Sequence, residues 1–162
     1  MNDISLVDLI QSGGVLRDIE GSAPKDVLDC MIQHIHLPCS LTTDVLLQAV
    51  LERENLMATS IGGGIAIPHP RNPLLSEKNE QFVAIAFLKQ PVEWQALDGV
   101  PVQQVMLLVS SSARAHLHSL SRLHFLCQEE AFRSLLANQA SREEIIRAVG
   151  VIEKGWGEKA AL

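Results

Sequence analysis

FVAIAFL at residues 82–88 and VMLLV at 105–109 are unbroken apolar runs of strand length, and they decide the fold. Apolar side chains at successive positions mean burial on both faces, which marks inner strands covered by helices on each side. The flanking chain supplies such helices. Between the two runs, Pro91 to Pro101 holds the turn signal Asp98-Gly99 with Trp94 close by. After the second run, Ser110 to Ser112 introduce a helix over His116 to Gln128, followed by helical stretches at 130–137 and 141–149. Ser141 with Glu144 forms a capping box, Gly150 is read as a stop, and 151–162 lacks a period and is expected to fray.

Upstream, Ile4 to Ile10 reads as a short helix broken at Gly13-Gly14, and Val15 to Ile19 as an extended segment. From Ser22 as N-cap, Val27, Leu28, Met31, Ile32 and Ile35 recur at helical spacing until Pro38. Thr42 or Thr43 caps a second helix that turns Leu46, Ala49 and Val50 inward and carries Arg53 near its exit. The chain thus reads as one α/β domain over residues 1–150 with a C-terminal tail at 151–162.

Composition excludes several classes of function. Thirteen Lys and Arg against nineteen Asp and Glu give a net charge of -6, and no basic cluster offsets it, so nucleic acid is not an expected partner. Cys30, Cys39 and Cys127 are odd in number and far apart, which fits a reducing cytoplasm and neither a disulfide framework nor a zinc site. No stretch approaches the roughly 20 apolar residues that a membrane span requires, so no membrane insertion and no secretion are expected.

The six histidines carry the chemical interest. His34 and His36 stand two apart before Pro38 and make a poor chelate, but they suit the negative end of a helix dipole. His69 follows the strand-like Ile65-Ala66-Ile67 and is held between Pro68 and Pro70. It therefore sits at a strand's carboxyl end, where open α/β sheets bind ligands. Flanking prolines remove two backbone donors and restrict the chain on both sides, which suits a nucleophile and also a structural turn histidine. At about 100° per residue, Leu117, Leu120, Leu123 and Cys127 share one side of their helix, with His116 inside that sector and His118 roughly opposite. His116 is then either a satisfied core histidine or a partner of His69. The two can meet if their strands are neighbours. Inward histidines, the glycines Gly62, Gly63 and Gly64 and a nearby Arg compose an anion site suited to phosphoryl transfer, which needs mainly positioning and charge stabilisation.

Competing motifs fail. The three glycines lack the Gly-Lys-Ser/Thr ending of a Walker loop and the third glycine of a dinucleotide fingerprint, and there is no GxSxG, HExxH or EF-hand loop. A metal site from His69, His116 and His118 stays open, although no acidic or thiolate ligand is suitably spaced.

Four segments, LEREN at 51–55, TSIGGGIAIPH at 59–69, VEWQALDGVPV at 92–102 and HLHSLSRL at 116–123, stand in an order that resembles the enzyme IIA domains of the fructose/mannitol class in the bacterial phosphoenolpyruvate-dependent phosphotransferase system. Among these the chain is most similar to the stand-alone nitrogen-regulatory enzyme IIA proteins. The resemblance implies an α/β fold with a mixed central sheet flanked by helices on both faces. It implies a phosphocarrier whose His69 accepts a phosphoryl group from an HPr-type carrier and whose phosphorylation state regulates partners. His116 matches the stabilising partner imidazole, Arg53 the arginine beside the active histidine, and Thr59 the recurring threonine before the glycines. Neither cofactor nor metal is implied. The resemblance departs at one place: glycine usually follows the active histidine, whereas Pro70 and Arg71 follow it here, removing a backbone donor and adding a charge. Absence of a fused permease favours regulation over sugar uptake. The competing reading is a non-catalytic binding module that keeps the fold.

Overall fold

The computed structural model describes residues 4–161, so residues 1–3 of the expected domain and residue 162 of the expected tail lie outside the described residues. The elements run α1 (Leu6–Gly13), β1 (Val15–Ile19), α2 (Pro24–Gln33), α3 (Thr43–Leu56), β2 (Ser60–Gly62), β3 (Ile65–Ala66), β4 (Phe82–Val92), β5 (Val102–Val109), α4 (Ala113–Gln128), α5 (Glu130–Ala137) and α6 (Arg142–Ala160). The five strands form one mixed sheet in the order β1-β4-β5-β3-β2. β1 lies parallel to β4 and β3 parallel to β5, while β4 and β5, and β2 and β3, pair antiparallel.

The period of two along β4 separates two cores. Phe82, Ala84, Ala86 and Leu88 face α2 and α3, packing with Val27, Leu28, Met31, Ile32, Leu46 and Val50. Val83, Ile85 and Phe87 face the other side, against Leu9, Ile10, Leu123, Leu126, Phe132, Ile145 and Val149. Successive side chains of a strand point to opposite faces, so one apolar run serves both layers. Each fully buried Leu, Ile or Phe contributes roughly 1.5–3 kcal/mol. β5 follows the same rule, with Val105, Leu107 and Val109 in the first core and Met106 and Leu108 in the second.

Several boundaries differ from the sequence reading. β4 continues past Leu88 to Val92 and β5 begins at Val102, because backbone pairing extends the ladder to Val92↔Val102 beyond the apolar stretches. α2 starts at Pro24 with Ala23 as N-cap, and Ser22 instead bonds the Asp26 carboxylate. Proline at a first helical position has no N–H to satisfy, and its fixed φ suits the start of a helix. Thr42, Ser112 and Ser141 cap α3, α4 and α6 through their side chains. The largest correction concerns the C-terminus: the helix does not stop at Gly150, and 151–160 belong to α6. Gly155 and Gly157 lie within α6 and neither takes a positive φ, so they mark no turn, and tertiary contacts carry the helix through them. Trp156 packs on the second core, donates its indole N–H to Glu129 Oε1 at 3.2 Å and lies under the Arg122 guanidinium at 5.6 Å. Glu153 pairs with Arg122 at 2.7 Å and accepts the Leu6 N–H at 2.7 Å and the Val7 N–H at 3.3 Å, thereby capping α1 across the fold. Among the described residues no helix is long and apolar enough to cross a membrane.

Candidate functional site

The chain leaving β3 is held on both sides. Ile67 donates its N–H to Thr59 O at 3.0 Å, and Leu108 donates to Pro68 O at 3.1 Å, so the residues after β3 stay in line with the sheet. Ile65 and Ile67 belong to the core beneath α4, and alternation turns His69 to the same face. There its ring meets that of His116, with centroids 4.9 Å apart and planes tilted by 49°. α4 carries His116 one turn inside its Ser112 cap, half-buried, while His118 faces outward. The helical wheel placed both histidines correctly but set Leu117 too far inward: it is 67 % exposed, because the buried face runs through Ser119, Leu123, Leu126 and Cys127.

His69 is only 7 % exposed, and its Nδ1 lies 2.8 Å from Ile67 O. A carbonyl oxygen can only accept, so Nδ1 bears the proton and Nε2 keeps its lone pair. Burial pushes the imidazole down to about 4; the Ile67 carbonyl opposes this, and the charges of His116, Arg53 and His124 reinforce it. The ring is therefore neutral at pH 7. His116 is shifted downward as well, first by burial and then by Arg53. The result is a neutral nucleophilic nitrogen beside a second neutral imidazole in the field of a guanidinium.

Arg53 lies in the last turn of α3, where its Nη1 donates to Met57 O at 2.8 Å. It shares a groove of about 630 Å³ with Arg71, Asn55, Asn72 and Leu56. Pro70 is buried and Arg71 exposed, so the unusual pair after His69 brings a second guanidinium to the groove that Arg53 lines.

The remaining anticipated phosphate ligands are placed otherwise. Thr59 is 6 % exposed, and its hydroxyl donates to Glu54 Oε2 at 2.5 Å while its N–H donates to Oε1 at 2.8 Å. Trp94 donates its indole N–H to the same Oε1 at 2.7 Å. Glu54 thus ties α3, β2 and the turn after β4 together, and Thr59 has no hydroxyl proton left for a phosphate. Sequence reading passed over Glu54, although a buried Trp needs an acceptor and an acid stands in LEREN. Gly62, Gly63 and Gly64 form the turn between β2 and β3, all at positive φ, at the opposite end of β3 from His69. Gly63 gives its N–H to Asp98 Oδ2 at 2.8 Å, and Gly64 O accepts from Gln103 and Gln104. The Gly63 N–H and the Gly64 carbonyl thus support the hairpin, at the end of β3 away from His69.

His34 is the C-cap of α2, with Nδ1 2.7 Å from Cys30 O, and His36 is exposed. Among the described residues no group of three or more His, Cys, Asp or Glu side chains is arranged to hold a metal ion, which removes the site considered for His69, His116 and His118.

The chain is similar to known proteins in sequence and fold. The chain is 28 % identical over 156 residues to the nitrogen regulatory protein of Pseudomonas aeruginosa, covering 94 % of this chain and 99 % of that one. It is 29 % identical over 156 residues to the fructose-specific EIIABC component of Bacillus subtilis, covering 93 % of this chain but only 24 % of that much longer protein. The crystal structure of nitrogen regulatory protein IIA-Ntr from Neisseria meningitidis superposes with a TM-score of 0.74 at 29 % identity, covering 90 % of this chain and 99 % of that one. Residues 8–150 match the family described as phosphoenolpyruvate-dependent sugar phosphotransferase system, EIIA 2, and the chain belongs to that family.

Proposed function

We propose that the protein is a cytoplasmic phosphocarrier that takes a phosphoryl group on His69 Nε2 from the phosphohistidine of a small HPr-type carrier, and that its phosphorylation state regulates partner proteins. The reading is carried by the state of His69: a buried, neutral imidazole whose proton is fixed on Nδ1 by Ile67 O, leaving Nε2 as the nucleophile. The Nε2 lone pair forms a bond to phosphorus as the carrier's N–P bond breaks, and the departing imidazole keeps that electron pair. Such a transition state spreads charge over three equatorial oxygens, so catalysis consists of positioning and electrostatic stabilisation. His116, at 4.9 Å between ring centroids, is the donor for one oxygen, and Arg53 with Arg71 supplies positive charge from the groove. Retention of the Nδ1 proton keeps the phosphorylated ring cationic, a good leaving group for onward transfer. The added charge of about -1.5 to -2 changes which surfaces can dock around His69.

Intact mass after incubation with phosphoenolpyruvate, enzyme I and the HPr-type carrier tests this. One acid-labile phosphoryl group is expected on the wild type and none on His69→Ala. With an active carrier, an unmodified wild type would sink the transfer reading, point to Pro70 as the obstacle, and leave a binding module that keeps the enzyme IIA fold.

A further inference from the structure

Ser110 follows directly on β5 and is 3 % exposed, yet among the described residues its Oγ is the buried side-chain atom with no hydrogen-bond partner. Burying a hydroxyl unpaired is unfavourable, and a native structure that does so calls for an explanation. The sheet register supplies one. Parallel pairing sets Ile65 beside Gln104 and Ala66 beside Val105, and the Leu108 N–H to Pro68 O bond carries this ladder onward, so His69 stands level with Leu108. Leu108 and His69 share the face covered by α4. Ser110 is the next residue of that line on the same face, about 7 Å further along the strand direction, toward the end where the ring of His69 meets His116. Only Ser111 and Ser112 separate it from α4, whose first turns bear His116. Gln81, opposite Ser110 by the Phe82↔Val109 register, is already engaged: its Oε1 accepts from Ser111 and its Nε2 donates to Lys78 O.

We propose that Ser110 is a further ligand of the phosphoryl group, its hydroxyl donating to an equatorial oxygen once His69 is phosphorylated. The proposal rests on the phosphocarrier reading. No bond to Ser110 forms or breaks in the transfer, and its proton stays on Oγ. The orphan hydroxyl is then a group matched to the phosphorylated state and unmatched in the free one.

The test compares wild type, Ser110→Ala and Ser110→Thr, each phosphorylated by the carrier and, separately, by phosphoramidate, a small donor that needs no docking. Intact mass gives the equilibrium constant for exchange with the carrier, thermal melting gives the stability gained on phosphorylation, and His69→Ala identifies signal from other histidines. Unphosphorylated Ser110→Ala is expected to melt at or a few degrees above the wild-type temperature, since it loses an unpaired hydroxyl. Its exchange constant is expected to fall about tenfold, the weight of a hydrogen bond to a charged group, and its gain in melting temperature on phosphorylation to shrink, with Ser110→Thr restoring both. Unchanged exchange and an unchanged gain in Ser110→Ala would overturn the proposal, as would a lower melting temperature before phosphorylation. If the carrier leaves the wild type unmodified, the transfer reading fails on its own, and phosphoramidate-labelled His69 still decides Ser110 through the gain in melting temperature. If His69 takes no label from either donor, both readings fall.

Discussion

The two ends of β3 carry equally conspicuous sequence and do opposite things. At the Gly62–Gly64 end, backbone groups are drawn into the protein's own structure: Gly63 N–H goes to Asp98, and Gly64 O takes two N–H groups. At the His69 end, a carbonyl holds one ring nitrogen and leaves the lone pair of the other in place, and the buried Ser110 hydroxyl has no partner. A glycine-rich stretch and a proline-bracketed histidine both look like chemistry in one dimension. What separates them is whether the surrounding fold has already satisfied the polar groups.

Removing His116 should break the reactive end most directly. His116→Ala is expected to lower the rate of phosphoryl acceptance by about 10²-fold, the usual loss for one donor at a developing charge, with stopped transfer reactions read by intact mass. An unchanged rate would make His116 a packing residue. Glu54→Ala tests the clamp between the two ends. It leaves the Trp94 indole and Thr59 groups without their acceptor, so denaturant unfolding should show a loss of about 1–3 kcal/mol. A smaller effect is expected at the glycine end. Gly63→Ala meets no atom within 4 Å but keeps φ at +64°, so stability should drop by roughly 1–2 kcal/mol while phosphoryl acceptance stays at the wild-type rate. A lowered rate with an intact fold would restore this turn as part of the phosphate site.

The smallest effect is expected from pH. Because the His69 imidazole is held at about 4, its reactive neutral form persists from pH 8 to 5.5, and that step should vary less than about twofold over this range when the carrier is replaced by phosphoramidate. Stability behaves differently. The unfolded chain binds a proton near the ordinary value of 6.5 while the folded ring does not, so the folded state should lose stability as pH falls from 6.5 toward 4. His69→Ala should show a shallower fall in denaturant titrations across that window.

How far the sequence could be read depended on where each residue's partners lie. The inner strands were legible because burial on both faces writes itself into consecutive residues, as in FVAIAFL. His116 was legible because the angle around one helix is a local property. Thr59 and the three glycines were not, since their partners Glu54 and Asp98 belong to other elements, Asp98 lying 35 positions from Gly63. The motif resemblance singled out His69 and Arg53, but the charge and tautomer of His69 depend on burial and on Ile67 O, which only the fold supplies. α6 was misread for a related reason. Gly150, Gly155 and Gly157 weaken the local helical signal, while Arg122, Glu129 and the N-terminus of α1 hold the helix from outside it.

The bond from Glu153 to the first N–H groups of α1 sets an order on synthesis. α1 emerges before α6, and although Ser5 caps the Asp8 N–H locally, the Leu6 and Val7 N–H groups find their acceptor only in Glu153, 147 positions on from Leu6. Until α6 emerges, α1 carries open N–H groups and the face of β4 beneath it lacks part of its cover. The nascent chain therefore needs α6 to finish α1, and loss of α6 should expose that face to capture by other chains.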